Sequence, residues 1–222
     1  MRKEINIFNK KLVFDIRSDA DESVFDEIFV NRDYRILDEA ISKAASIVDI
    51  GAHIGAFSIY AATINPIAQI SAYEPEQLNF KAFKENLKLN NIKNITPKNL
   101  AVAGKEEQRT FYLNKDSHNH SLTKDLPSQT KEVTTQTTTL ERIIHKHGNI
   151  DLLKMDCEGA EFEIFAATPP ATLRHISKIH LEYHEYENPV TNLEKALQSA
   201  GFKTKRTPSH YDKRMGYIIA TQ

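Results

Sequence analysis

The segment Ile47-Val48-Asp49-Ile50-Gly51-Ala52-His53-Ile54-Gly55-Ala56-Phe57-Ser58 constrains the fold more than any other stretch of this chain. A short apolar run reads as a buried strand, ends in Asp-x-Gly, turns, and passes into helical spacing within a few residues. Gly51 suits a tight turn and close approach by a ligand, while Gly55 lets the helix start pack near the strand. Helix starts of this kind favour anions such as a carboxylate or phosphate. The dinucleotide fingerprint Gly-x-Gly-x-x-Gly needs a second glycine where this chain has Ala52-His53, so NAD and FAD are disfavoured. A ligand without a pyrophosphate fits better. Glycine is scarce elsewhere: the chain has 7, against about 16 at ordinary usage for its length.

The same alternation continues downstream. Strand patterns at Ser46–Ile50, Ile70–Tyr73 and a run ending near Ala101–Val102 are separated by helical patterns at Phe57–Ile64 and Gln77–Asn90. Strand–helix–strand order of this kind predicts a parallel sheet covered on both faces. A polar stretch from Asn114 to Thr139 then separates Arg109–Leu113 from Val133–Thr138, which suits an antiparallel insertion. Alternation resumes with a helix near Leu140–His147, a strand at Ile150–Met155, a helix at Gly159–Ala166, a strand at Ile176–Tyr183 and a helix at Val190–Ala200. Phe202–Arg206 and Gly216–Ala220 read as a closing hairpin. Upstream, residues 4–16 read as another hairpin, and residues 21–45 as helical with a break near Asn31–Asp33.

Two carboxylate positions stand out. Glu74 closes the second strand in Tyr73-Glu74-Pro75, 23 residues after Gly51, and an acid about 20 residues beyond a glycine loop suits ribose hydroxyls. Pro75 stops further sheet pairing, so Glu74 is expected at the strand's carboxyl end. In Asp151-Leu-Leu-Lys-Met-Asp-Cys-Glu-Gly-Ala-Glu161 a buried strand delivers Asp156 and Glu158 to its end. On extended chain, i and i+2 share a side, so the pair can meet an amine, a hydroxyl or a cation. The structural alternatives are helix capping by Asp49 and Asp156, a solvated Glu74, and acids favouring the positive end of a helix.

Composition narrows the class. Basic and acidic residues number 29 and 30, a net charge of -1, which disfavours a globally basic nucleic-acid binder. The single cysteine, Cys157, reads as a small buried residue and excludes an internal disulfide, in keeping with a reducing compartment. The charged N-terminus interrupts any signal-peptide core, and no run approaches a membrane span of about 18 apolar residues. The expectation is a soluble, cytoplasmic protein without membrane association.

These residues resemble a known family. Val48–Ser58 is similar to motif I, and Tyr73-Glu74-Pro75 to motif II, of class I S-adenosylmethionine-dependent methyltransferases. The segment from Asp151 to Glu161, with Thr139-Leu140-Glu141 upstream and Asn86 through Asn90, resembles the FkbM family within that class. The resemblance spans about residues 34–221. It implies a Rossmann-like α/β fold with a seven-stranded, mostly parallel sheet, helices on both faces and an antiparallel final strand. The expected organisation is an N-terminal hairpin and helical extension over residues 1–45, then a methyltransferase domain over residues 46–222. The implied cofactor is S-adenosylmethionine, with Glu74 on the ribose, Gly51 to Gly55 along the methionine moiety, and Asn99, Leu100 or Ala101 at the adenine. The full cofactor set expected is Asp49, Gly51, Ala52, His53, Gly55, Ser58, Glu74, Pro75, Asn99, Leu100, Ala101 and Asp156. His53 departs from the Gly-x-Gly of many methyltransferases.

A hydroxyl acceptor benefits from a general base. His180, Glu182 and His184 alternate on one strand face, with the last two nearer its carboxyl end. The expected catalytic residues are therefore Glu158, Glu182 and His184, with His180 read as structural. No metal is expected, although Asp156, Glu158, Glu182 and His184 form a conceivable set. His118 and His120 are read as part of a surface loop, with reach over the pocket as the alternative. The family resemblance implies O-methylation of a small hydroxylated acceptor such as a sugar or polyketide-like metabolite. The alternatives are an RNA methyltransferase using Lys203, Lys205, Arg206, Lys213 and Arg214, and a non-catalytic nucleotide-binding module.

Overall fold

A computed structural model describes residues 1–114, 120–122, 129–186, 188–210 and 212–222. The chain opens with an antiparallel hairpin, β1 (Arg2–Ile7) and β2 (Lys10–Asp15). Ser18 then caps α1 (Asp19–Phe25) by accepting the Asp21 amide. The helix continues as a π turn over Asp26–Asn31, breaks at Arg32 in a left-handed conformation (φ 58°), and resumes as a 3-10 turn and α2 (Asp38–Lys43). That break coincides with the one expected from the pattern.

Next come β3 (Ser46–Ile50), α3 (Ala56–Ile64), β4 (Gln69–Tyr73), α4 (Gln77–Leu89) and β5 (Ile95–Lys98). A small sheet follows: β6 (Ala101–Ala103), β7 (Gln108–Asn114) and β8 (Gln129–Thr139), with β8 parallel to β6 and antiparallel to β7. The remainder is α5 (Leu140–His147), β9 (Ile150–Met155), α6 (Glu161–Ala167), a one-turn α7 (Pro170–Leu173), β10 (Ile176–His184), α8 (Val190–Ser199), β11 (Lys203–Pro208) and β12 (Met215–Thr221).

The main sheet has seven strands in the order β11-β12-β10-β9-β3-β4-β5. β5, β4, β3, β9 and β10 are parallel, and β12 runs antiparallel between β10 and β11. One strand differs from the sequence expectation. The third run divides at Asn99–Leu100: β5 completes the main sheet, and β6 leaves it to pair with β8.

Two apolar layers cover the sheet, because alternate strand residues face opposite sides. Ile47 and Leu152 join the layer with α1 and α3, whereas Val48, Leu153 and Met155 join the layer with α5, α6 and α8. Residues 1–45 are part of the first layer. Phe14, Phe25 and Phe29 pack edge-on or tilted with ring centroids 5.0–5.3 Å apart, and each buried ring contributes about 1.5–3 kcal/mol. On α4, Leu78 is 65% exposed, while Asn79 and Asn86 are buried along with Phe83. Asn86 accepts the Asp15 amide and donates to the Ile54 carbonyl, tying the hairpin to the glycine loop. No helix among the described residues is long and apolar enough to cross a membrane.

Candidate functional site

Strand order reverses between β3 and β9, and ligands of open α/β sheets sit beyond the strand ends at such a point. The backbones are very close there. The Asp156 amide donates to the Ile50 carbonyl at 3.0 Å. Gly51 has φ +76°, and a Cβ on it would fall 1.6 Å from the Asp156 carbonyl oxygen. Only glycine fits. The amides of Gly51 and Ala52 both donate to the Tyr73 carbonyl, and His53 takes a left-handed φ of 51° before Gly55 begins α3.

Glu74 sits at the end of β4, as expected. Its Oε2 accepts the His53 amide and its Oε1 the Glu76 amide, both at 2.8 Å. Burial raises its pKa to about 7, opposed by those two backbone hydrogen bonds. Asn99 pins the turn by donating to the carbonyls of Glu74 and Pro75 at 2.9 Å.

These elements border an open cleft that encloses about 820 Å³, solvent at its mouth included. Gly51, Ala52, His53, Glu74, Pro75, Leu100, Ala101, Asp156 and Glu158 line it. Asp49, Gly55, Ser58 and Asn99 do not. Asp49 and Ser58 lie behind the loop, where Ser58 Oγ donates to Asp49 Oδ2 at 2.6 Å. Lys154 Nζ stands 3.4 Å from the other Asp49 oxygen and donates to the Gly51 carbonyl at 2.9 Å.

Glu182 and His184 are also absent from the lining. His184 is 1% exposed, with Nδ1 3.3 Å from Glu161 Oε1 and Nε2 3.4 Å from Glu158 Oε2. Burial disfavours its charge, but Glu158 and Glu161 outweigh that and hold the imidazole well above its ordinary pKa. A protonated His184 is no base. Glu158 lies between it and the cavity, at a left-handed φ of 54°, with burial raising its pKa to about 8 against the pull of His184. Burial and Asp156 raise Glu182 to about 9. Glu161 fixes the loop by accepting the amides of Cys157 and Gly159. Burial, Glu161 and Asp156 push the Cys157 thiol well up, in keeping with an inert residue. His180 is buried between the rings of Tyr34 and Tyr217, at 5.2 and 5.3 Å, and burial lowers it to about 4.

Several lining residues were missed by sequence reasoning. Val24, Glu27, Ile28 and Tyr34 enter from the N-terminal segment, Phe111 from β7 and Leu122 from beside the Ser121 bridge to β7. Burial, then Asp156, raise Glu27 to about 7. Lys154 also lines the cavity, and its signal was a charge within the apolar strand IDLLKM. His120 was read as part of a surface loop, but it lines the cavity and accepts the Asn114 amide through Nδ1. His118 lies outside the described residues. Of the basic cluster, Arg214 pairs with Asp212 at 2.6 Å and Arg206 approaches Glu194 at 3.7 Å; none of the five lines the cavity.

The sheet order, the glycine loop and the acid at the end of β4 define a class I, Rossmann-like methyltransferase. The chain belongs to the methyltransferase FkbM domain family, which it matches over residues 49–204. It is an S-adenosylmethionine-dependent methyltransferase. It is 24% identical over 203 residues to Methyltransferase 1 of Beauveria bassiana, covering 82% of this chain and 80% of that one. It is 23% identical over 224 residues to the 31-O-demethyl-FK506 methyltransferase FkbM of Streptomyces tacrolimicus, covering 87% and 86%. The fold also resembles the crystal structure of precorrin-6y C5,15-methyltransferase from Geobacter metallireducens, with a TM-score of 0.52, 15% identity and coverage of 86% and 87%.

Proposed function

We propose that this methyltransferase acts on a hydroxyl oxygen of a small acceptor, a sugar, polyketide-like or other hydroxylated metabolite. The observation that carries the proposal is Glu158, a carboxylate with a raised proton affinity on the cavity wall beyond the glycine loop. A group that gains its proton near pH 8 suits a base for a hydroxyl. The relative from Streptomyces tacrolimicus is named for a 31-O-demethyl substrate, which favours an oxygen acceptor.

The residues fit S-adenosylmethionine, which supplies a methyl group on a positively charged sulfur. Glu74, held by two amides, has oxygen lone pairs left for ribose hydroxyls. Gly51, Ala52 and His53 would border the methionine moiety, and Leu100 and Ala101 would give an apolar contact for the adenine. Pro75 and Asp156 complete that wall. Asp49, Gly55, Ser58 and Asn99 act from behind, holding the loop and the β4 turn. Bound there, S-adenosylmethionine would give its methyl carbon to the acceptor oxygen, the carbon–sulfur bond breaking with its electron pair on sulfur. The hydroxyl proton passes to Glu158. His184, fixed by Glu161, is a positioning residue that sets the proton affinity of Glu158; Glu182 adds negative charge to the same cluster.

Transfer of labelled methyl from S-adenosylmethionine into cell extracts tests the proposal. Label recovered as an O-methyl group on a small molecule is the expected result. Label confined to RNA would replace the proposal with the RNA alternative, and N- or C-methyl products would overturn it.

A further inference from the structure

The carboxylates around His184 exceed what one imidazole requires, and their geometry carries a separate inference. One ligand atom from each of Asp156, Glu161 and His184 lies within 4.8 Å of the others. Two buried atoms of the group make no hydrogen bond: Oδ1 of Asp156 and Nε2 of His184. The His184 side chain is fully enclosed, and Nε2 faces Glu158 Oε2 at 3.4 Å and Glu182 Oε1 at 4.0 Å. Asp156 connects the group to the cavity, since it lines the wall beside Lys154 and Glu158.

We propose that Asp156, Glu161 and His184 form a divalent-cation site at the carboxyl ends of β9 and β10, opening on the acceptor side of the cavity. Two carboxylates and an imidazole that gives up its proton as the ion binds suit a first-row divalent ion of the Mn²⁺ class, the cation then taking the place of the imidazolium charge. Such an ion sits about 2.0–2.3 Å from each ligand, so the three atoms close inward by about 1 Å on binding. Side-chain rotation within the group supplies that movement, as Glu161 and His184 are already in contact at 3.3 Å. A cation there stands beside Glu158 and lowers the proton affinity of an acceptor oxygen that ligates it. This use in catalysis rests on the oxygen-acceptor reading; binding of the ion does not.

The test is titration of the full chain, stripped with chelator, with Mn²⁺ alone, following free Mn²⁺ by its electron paramagnetic resonance signal. The expected result is one Mn²⁺ per chain, with affinity weakened about tenfold or more in Asp156→Asn and in His184→Gln. The exposed Glu132→Gln variant should bind as the parent does. Asp156→Asn keeps the volume of a side chain with an unbonded oxygen, so thermal melting should show it folded. No binding at millimolar Mn²⁺, or binding unchanged in folded Asp156→Asn, would overturn the site. Neither S-adenosylmethionine nor acceptor is present, so failure here is distinct from failure of O-methylation.

Discussion

Lys154 Nζ lies 3.4 Å from Asp49 Oδ1 behind the glycine loop, joining the carboxyl ends of β9 and β3. Both side chains are almost fully enclosed. Removing one member leaves the other charged and unpaired, which costs about 3–5 kcal/mol. Lys154→Met should therefore lower stability by that order in urea denaturation, and adding Asp49→Asn should restore part of it. The Lys154 pKa is raised above 10.5, because Asp49, Asp156 and Glu27 outweigh burial. A raised basic group stabilises fully below its unfolded value, so this contribution is complete at neutral pH. It is lost only as alkali carries the pH through the folded pKa.

Gly51 and Gly148 share a left-handed backbone, with φ +76° and +78°, but their surroundings differ. Gly148 has ψ −82° and a Cβ there meets nothing within 4 Å, so thermal unfolding of Gly148→Ala should report only the cost of a sparsely populated backbone conformation, about 1–3 kcal/mol. Gly51→Ala also drives a Cβ into the Asp156 carbonyl. It should cost more than about 4 kcal/mol or prevent folding. Equal losses in the two variants would contradict the contact.

Glu74 gives a pH-dependent expectation. Ribose hydroxyls donate to the ionised carboxylate, and burial sets its pKa at about 7. Affinity for S-adenosylmethionine should therefore rise as the pH passes upward through about 7. Calorimetry at several pH values should show that rise in the parent and its absence in Glu74→Gln. The variant should bind about tenfold more weakly at alkaline pH, the loss of one charge-assisted hydrogen bond.

Glu158→Gln should lower turnover by about 10²–10⁴-fold with little change in S-adenosylmethionine affinity. Turnover of the parent should climb as the pH rises through about 8, where Glu158 loses its proton. His184 lowers the Glu158 pKa, so His184→Gln should move that limb to higher pH. A fall in turnover with an unmoved limb would remove the positioning role.

Much of the frame was legible because strand and helix leave local patterns. β3 with its Gly51 turn, β4 ending at Glu74, and β9 ending at Asp156 all stood in single continuous segments. What was not legible depends on packing between distant segments. Asn79 and Asn86 are polar residues of α4, yet they are buried, and Asn86 binds groups 71 and 32 residues away. β6 has the composition of a main-sheet strand, and only its partner β8 draws it elsewhere. His184 shares a strand face with Glu182, but alternation cannot reveal that Glu158 and Glu161 enclose it.

Glu27 and Tyr34 line the cavity from positions before residue 49, where the family match begins. The wall they build is covalently remote from the turns at Gly51 and Glu74. Substitutions accumulating there can alter the shape and charge presented to an incoming molecule while the machinery beneath stays intact. The shape and charge met by an incoming molecule thus depend in part on a segment outside the matched residues 49–204, and Glu27→Gln or Tyr34→Phe would change them at a distance from those two turns.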